Sequence, residues 1–510
     1  MNLFKQFFRL RRVLNQIPIT ESTIDEQFYL IFTIRQFPFI LNQELFIANI
    51  LARNGAKVVV VLDNGLFEHW DTKQVRDSTA LNSLNPSRTS KFKTFFTRAY
   101  YTFLYRHPNI KVNLINNANL VAEPHADRDF YAKFALDSTK RFFMKGSYNS
   151  NIMAERNYYE LSLKNSEKSY RIARHYYECS EGVNAVIMSH GIYSTWGPMY
   201  SYFKDRGVPT YVYGANVYTS SRIFVTDTLT QTLNKDTDLQ RYQLEQPLNI
   251  PKQIRLKVDE VLSVRLNLKS KDNKFYYGEN KVVEQKLSKR PGDVYFGMFP
   301  NVVWDGDIAE RSRLFESIQD WVLKTIEFFL KAPKNHKLVI KLHPGETTIW
   351  SGSHRLIDVI SLKFPGIDSS DQIIIIDSVV KIHTYKFVSE YIDYGIVYDG
   401  IMALELYYLN IPVIAVSDGR YTNKKFLIEP ENISEYVALL SNIERLKEAA
   451  HISLKYGDDF VWFSYWFFYK SSYYLPIFSE KRFGEIDIKN NLCEAEKQEL
   501  KRTTIKLCSL

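Results

Sequence analysis

The chain has 510 residues, of which 45% are hydrophobic and 24% charged, a globular composition that excludes a disordered polymer. A formal charge of +9 is a mild excess over this length. It suits nucleotide phosphates, anionic glycan or anionic lipid, and without a dense basic stripe or a recognisable motif it excludes nucleic acid as a partner. Three widely spaced cysteines, Cys179, Cys493 and Cys508, form neither a disulfide framework nor a zinc pattern, and point to a reducing, cytoplasmic compartment.

Met1 to Val13 mixes Phe4, Phe7, Phe8 and Leu10 with Lys5, Arg9, Arg11 and Arg12. Residues 1–20 therefore read as a basic amphipathic segment. It either packs on the protein or makes peripheral contact, through residues 1–13, with the inner face of the cell membrane. No apolar run approaches the roughly 20 residues of a membrane span. Phe28–Ile34 reads as a strand. Asn42–Asn54 reads as a helix, with Phe46, Ile47, Ile50 and Leu51 at helical spacing and Asn54-Gly55 as its stop. The almost wholly apolar Lys57–Leu62 is a buried strand ending in Asp63-Asn64-Gly65. Lys91–Tyr105 is helical and aromatic, Lys111–Ile115 a strand, and Asn149–Tyr177 a long helix. Ala185–Ser189, a loop at His190-Gly191, a helix over Gly197–Arg206 and the strand Thr210–Tyr213 form a βαβ unit of parallel-sheet type.

Thr226 to Lys289 is polar and charged, with its clearest linker at Asn267–Lys274. Strands and helices then alternate. The strands are Asp293–Met298, Lys337–Leu342, Ile373–Ile376, Gly395–Tyr398 and Pro412–Val416. The helices are Ala309–Lys331, His383–Ile392 and Ile401–Leu409. This order predicts an α/β protein with two Rossmann-type, doubly wound parallel-sheet domains facing a cleft. The first domain covers 21–235, a linker region 236–288 and the second domain 289–440. Helices over 441–483 and a charged, weakly ordered tail over 484–510 follow.

Ligands of open parallel sheets bind at the carboxyl ends of strands. In the second domain those ends carry Asn301, Lys341-Leu342-His343-Pro344, Asp377-Ser378 and Asp399-Gly400. His343 is placed to donate to a phosphate oxygen, with an added charge if protonated. Gly400 opens a helix start where an anion can approach backbone N–H groups. Glu405, among Ala403, Leu404, Leu406 and Tyr407, needs a partner, and a ribose diol would serve. In the first domain the ends carry Asp63 and the Ser189-His190-Gly191 loop, followed by Tyr193 and Trp196, whose rings would stack on an acceptor sugar. Asp305-Gly306-Asp307 matches a metal-binding spacing but equally caps the helix after it, and no metal site is assigned.

Phe299-Pro300-Asn301-Val302-Val303-Trp304-Asp305, Lys341-Leu342-His343-Pro344-Gly345-Glu346, and Leu404-Glu405 ahead of Asn410-Ile411-Pro412-Val413-Ile414 together resemble the capsule polysaccharide biosynthesis family, which includes Kdo transferases with a His-Pro motif. The resemblance is good over Gly292–Tyr421, weaker over Ala185–Gly214 and absent at both ends. It implies a GT-B-like glycosyltransferase, metal-independent and without a cofactor beyond its nucleotide-sugar co-substrate, a CMP-linked donor. It also implies a surface or capsular glycan or glycolipid as acceptor. By this resemblance His343 contacts the donor phosphate and Glu405 the ribose. One departure is that Asp399-Gly400-Ile401 offers no hydroxyl where many relatives have Ser or Thr. The donor side would comprise Asn301, Lys341, His343, Pro344, Gly400 and Glu405, and the acceptor side Tyr193 and Trp196. Asp305 is the first candidate for the catalytic base, Asp63 the second and His190 the third. Two alternatives stay open: a transferase using a CDP-linked polyol donor, and a non-catalytic glycan-assembly protein of the same fold.

Overall fold

A computed structural model of the chain describes residues 3–20, 24–34, 38–63, 65–67, 103, 105–120, 123–125, 127–180, 182–215, 222–247, 249–266, 287, 289–307, 311–348, 354–475, 489 and 491–510. Its strands, in chain order, are β1 (Phe28–Thr33), β2 (Lys57–Leu62), β3 (Ile110–Leu114), β4 (Val183–Ser189), β5 (Thr210–Ala215), β6 (Arg222–Thr226), β7 (Val294–Phe299), β8 (His336–Lys341), β9 (Ile373–Ile376), β10 (Tyr394–Val397), β11 (Val413–Ala415) and β12 (Ser472–Tyr474). The chain divides into two compact units. The first comprises Met1–Thr139, Asn149–Thr230 and Ser471–Leu510, the second Lys140–Tyr148 and Gln231–Lys470.

In the first unit the sheet order is β3-β2-β1-β4-β5-β6-β12. The strands from β3 to β5 run parallel, whereas β6 and β12 are antiparallel additions. Strand alternation sends successive side chains to opposite faces. Tyr29 and Ile31 of β1 pack with Leu10, Val13 and Leu14 of the N-terminal helix Leu3–Leu14, with the helix Pro38–Arg53, and with Leu500 and Leu507 of the C-terminal helix Glu494–Cys508. Leu30 and Phe32 face the other way, into a core with Ala135, Ile172, Ala173, Trp196 and Phe203 from the helices Arg128–Phe143, Met153–Glu178 and Tyr193–Lys204. Helices on both faces explain why β1 and β2 read as unbroken apolar runs.

The second unit repeats the plan with the all-parallel order β9-β8-β7-β10-β11. Phe296, Met298, Leu338, Ile340, Ile396 and Ile414 form one face. They pack on Trp321, Val322, Ile326 and Phe329 of the helix Ile318–Phe329 and on Tyr436, Leu439 and Leu446. The helix Met402–Tyr408 covers β10 and β11 on the opposite face and is backed by the helix Lys252–Leu266, which also touches the helix Gly457–Tyr465. Each parallel sheet thus has the strand order of a Rossmann unit, with the order reversing between its first and fourth strands in sequence. The fold is α/β, two units each built on a Rossmann-like parallel sheet, with C-terminal helices.

Some expectations need correction. The region 236–288, expected as linker, holds the helices Thr237–Leu244 and Lys252–Leu266. The expected charged tail contains the helix Glu494–Cys508, because Leu500, Thr503, Thr504 and Leu507 recur at helical spacing and are buried. The helix expected to start at Ala309 begins at Ile318, where the Ser317 hydroxyl accepts from the Asp320 N–H at 3.1 Å. β6, β12 and the helix Arg128–Phe143 were not anticipated. The linker Asn267–Lys274 and nearly all of the expected helix Lys91–Tyr105 lie outside the described residues. Among the described residues no helix is long and apolar enough to cross a membrane.

Candidate functional site

In the second unit the strand order reverses between β7 and β10, so the crevice a ligand would use lies at their carboxyl ends. β7 delivers Asn301 there and β10 delivers Asp399-Gly400, while β8, beside β7, delivers His343. Pro344 opens the short helical turn Gly345–Thr348, which carries the Gly345 N–H back onto His343 Nδ1 at 3.0 Å. A nitrogen that accepts holds no proton, so the neutral ring carries its proton on Nε2. Burial, and after it the Lys341 charge, lower His343 to about 4 against the opposing pull of Asp305. His343 is therefore a neutral donor near pH 7, not the cation that a phosphate site first suggests.

Lys341 is buried. Its ammonium donates to the Leu342 carbonyl at 3.0 Å, and burial lowers it to about 8 against the pull of Asp377 and Glu346. Glu346 is raised to about 7 by burial. Burial also acts on Asp377, but hydrogen bonds from Arg355, then from the Val379 N–H and the Ser378 hydroxyl, bring it below the ordinary range. Lys341 thus acts on His343 through its charge, from inside a buried ionic cluster.

Gly400 has no left-handed backbone to support. A Cβ there would stand 3.4 Å from Asn301 Nδ2, an ordinary contact. The protein's own packing does not require glycine at this position. Beyond it, the Ala403 and Leu404 N–H groups already donate to the Gly400 and Ile401 carbonyls at 3.0 and 2.9 Å, so an anion at this helix start would meet the Ile401 and Met402 N–H groups.

Each nearby carboxylate has a cation. Asp399, buried, lies 3.0 Å from an Arg311 guanidinium nitrogen and accepts from the Arg420 N–H at 3.3 Å. Asp307, buried, lies 3.5 Å from Lys140 Nζ, and Asp305 pairs with Arg141, whose guanidinium sits 5.0 Å over the Trp304 ring. Glu405 accepts from Arg265 Nε at 2.6 Å, with side-chain exposures of 2% and 10%. Arg265 is therefore the partner that a carboxylate in so apolar a helix demands within the protein itself. Among the described residues no group of three or more His, Cys, Asp or Glu is placed to hold a metal ion.

The first unit's order reverses between β1 and β4, and β4 runs directly into Ser189-His190-Gly191. Here the backbone is strained: His190 and Tyr193 have φ of 64° and 65°, a conformation costing about 1–3 kcal/mol for each such residue. Gly191 (φ 66°) is needed on two counts, since a Cβ would fall 2.7 Å from both Leu229 and Val212. His190 Nδ1 hydrogen-bonds the Ser189 hydroxyl, and its ring stacks on Trp196 with centroids 5.5 Å apart. Trp196 itself is fully buried in the core and Tyr193 nearly so. The expectation that these rings stack on a sugar is corrected on that ground, because neither has a face to offer. Asp63, at the end of β2, accepts from Gly65 N–H at 3.1 Å and Leu66 N–H at 2.9 Å, holding its own loop. Burial raises it to about 7 in spite of those bonds and the Lys168 charge.

Sequence reasoning missed Arg265, Arg311 and Arg420. The first lay in a stretch taken as linker and the second in one taken as helix. Their only signal was the need of Glu405 and Asp399 for cations once buried.

No family model matches the chain, and no curated protein matches it in sequence. Solved structures that resemble it do so distantly. The β-Kdo 2,4 transferase of Thermosulfurimonas dismutans KpsC is 14% identical over 50% of this chain and 75% of its own, with a TM-score of 0.38. The β-Kdo 2,7 transferase of the same protein is 13% identical over 82% and 98%, at 0.35. The Methanocaldococcus jannaschii UDP-GlcNAc 2-epimerase is 12% identical over 95% and 100%, at 0.28. These are likenesses of fold alone.

Proposed function

We propose that the chain is a glycosyltransferase that holds a nucleotide-activated sugar on its second unit and transfers the sugar to a glycan or glycolipid hydroxyl. The observation that carries this reading is His343: a neutral imidazole at the carboxyl end of β8, beside the β7/β10 switch point, with its tautomer set by the Gly345 N–H so that Nε2 carries a proton. A preorganised neutral donor suits a leaving phosphate, since it stabilises the charge that develops without needing to lose a proton itself. Gly400, which the fold does not require to be glycine, leaves room for the phosphate at the helix start. The choice of a CMP-linked donor rests on the sequence resemblance alone.

In this reading the acceptor oxygen attacks the anomeric carbon. The bond from that carbon to the phosphate oxygen breaks, and the electron pair leaves with the nucleotide, met by His343 Nε2–H and the N–H groups beyond Gly400. Asp305 is the first candidate to take the acceptor proton: its side chain is 41% exposed and its charge is felt at His343. Asp63, raised to about 7, and His190 are the alternatives. The reaction in this reading needs no metal. Leu10, Val13 and Leu14 of the N-terminal helix are buried in the first unit's core, so any contact of residues 1–13 with an inner membrane face would use the outer side that carries Arg12 and the exposed Phe8. Arg265 on Glu405 favours one variant of the reading, in which ribose is held by other groups.

The test is a thermal-shift screen against CMP, CDP, UDP and GDP, followed by transfer assays with the matching sugar donors. The expected result is selective stabilisation by a cytidine nucleotide, lost in His343→Ala. A protein that neither binds nor turns over any nucleotide sugar refutes the reading, and stabilisation by UDP alone refutes the cytidine assignment.

A further inference from the structure

We infer that Arg420 is the cation that receives the donor phosphate, an inference that rests on the reading of the second unit as donor-binding. His343 cannot supply positive charge near pH 7, and Lys341 is buried against Asp377 and Glu346. A phosphate at the β7/β10 switch point must also tolerate Asp399, the residue immediately before Gly400. The loop that follows β11 meets that requirement.

This loop, Ser417 to Thr422, is tied to the end of β10. The Ser417 hydroxyl donates to the Tyr398 carbonyl at 2.6 Å, and Thr422 Oγ1 donates to the Ser417 carbonyl at 3.1 Å while accepting the Gly419 N–H at 2.9 Å. Gly419 passes so close to Asp399 that a Cβ would stand 2.9 Å from the carboxyl carbon. Asp418 is held in turn by Asn234 at 2.8 Å and Lys235 at 2.9 Å. The loop is therefore fixed where Arg420 begins, and a cation on a fixed loop gives up little freedom when it binds an anion.

Charge completes the argument. Asp399 sits beside Arg311, and both Asp399 and Asp305 act on Arg420. Asp305 and Asp307 pair with Arg141 and Lys140, while Asp399 is shared between the Arg311 guanidinium and Arg420, whose side chain also hydrogen-bonds Tyr421. Asp399 is thus a counter-ion shared by two arginines rather than a bare negative charge turned on the phosphate. A guanidinium can also engage two phosphate oxygens at once, which a lysine cannot reproduce.

The test compares nucleotide with nucleoside on the purified full chain. The nucleotide is whichever of CMP, CDP, UDP and GDP stabilises the wild type most, and its partner probe is the corresponding nucleoside. Arg420→Gln is expected to weaken nucleotide affinity by roughly tenfold to a hundredfold, the scale of a hydrogen bond to a charged group. Nucleoside affinity stays unchanged, and Arg420→Lys recovers part of the loss. Equal nucleotide affinity in Arg420→Gln, or equal losses for nucleotide and nucleoside, overturns the inference. A wild type that binds none of the four nucleotides instead overturns the donor reading beneath it. Should Arg420→Gln not fold, Arg420→Lys decides: weaker nucleotide binding with intact nucleoside binding supports the inference, and unchanged nucleotide binding sinks it.

Discussion

Replacing Arg265 by leucine removes the partner of Glu405 while keeping an apolar side chain in place. The pair is short, 2.6 Å, and both side chains are almost inaccessible, so bulk water screens it little. Removing one partner of such a pair costs about 3–5 kcal/mol, since the remaining charge is buried and uncompensated. For a unit of this size, about 4 kcal/mol corresponds to a fall in melting temperature of about 8 °C. The penalty depends on pH in a definite direction. A lone buried Glu405 has its pKa raised, so the folded state binds a proton that the unfolded chain does not, and stability falls as pH rises above the ordinary glutamate value. The deficit of Arg265→Leu should therefore shrink as the pH is lowered toward about 4. The double variant Arg265→Leu with Glu405→Leu should regain most of the loss at neutral pH. Urea denaturation at pH 5 and pH 8 measures all three. A single variant that loses less than about 1 kcal/mol, or a double variant no better than the single, would refute the assignment of Glu405 to a structural pair.

Gly400→Ala should leave the fold intact or stabilise it by roughly 0.4–1 kcal/mol, since its backbone is not left-handed and its Cβ meets only an ordinary contact. Nucleotide affinity should nonetheless drop at least tenfold, and an unchanged affinity by calorimetry would remove Gly400 from the donor side. Asp63→Asn should stabilise the protein above pH 7. The carboxyl is raised to about 7 by burial, so the wild type loses stability as pH rises from the ordinary aspartate value through 7. The gain is at most about 4 kcal/mol and vanishes near pH 4, as denaturation at the two pH values would show. His343 should stay neutral when nucleotide binds at pH 8, because Nδ1 already accepts the Gly345 N–H and burial disfavours the charged ring. Calorimetry in buffers of different ionisation heat reads the proton balance, and an uptake at pH 8 that His343→Gln abolishes would refute the neutral-donor role.

The elements of the two sheets were legible where the chain announces itself locally. Lys57–Leu62 and Ile373–Ile376 are too apolar to be anything but buried strands, and the alternation with helices gave the parallel class. What stayed hidden depends on partners distant in sequence. Arg222–Thr226 and Ser472–Tyr474 are short and become strands only by pairing, the first with β5 and both with each other across a long stretch of chain. The helix Glu494–Cys508 is polar on average, and its narrow buried stripe shows only against the Pro38–Arg53 helix it packs on. The same limit applied to the site. His343 could be singled out from its place after an apolar strand, although its contact with the Gly345 N–H could not, and Arg265 lies 140 residues from Glu405. The aromatic loop after His190 misled because Trp196 lies on a helix face that turns into the core.

The first unit is assembled from three stretches of chain, the last of which supplies both β12 and the Glu494–Cys508 helix. A ribosome synthesising this chain must therefore make the whole second unit before the first can close its sheet edge and cover its Leu10, Val13 and Leu14 face. During that interval β6 is an uncapped edge beside exposed core, a state prone to pairing with other chains. The protein's yield in a cell should accordingly depend on how quickly the stretch Ser471–Leu510 docks on the rest of the first unit.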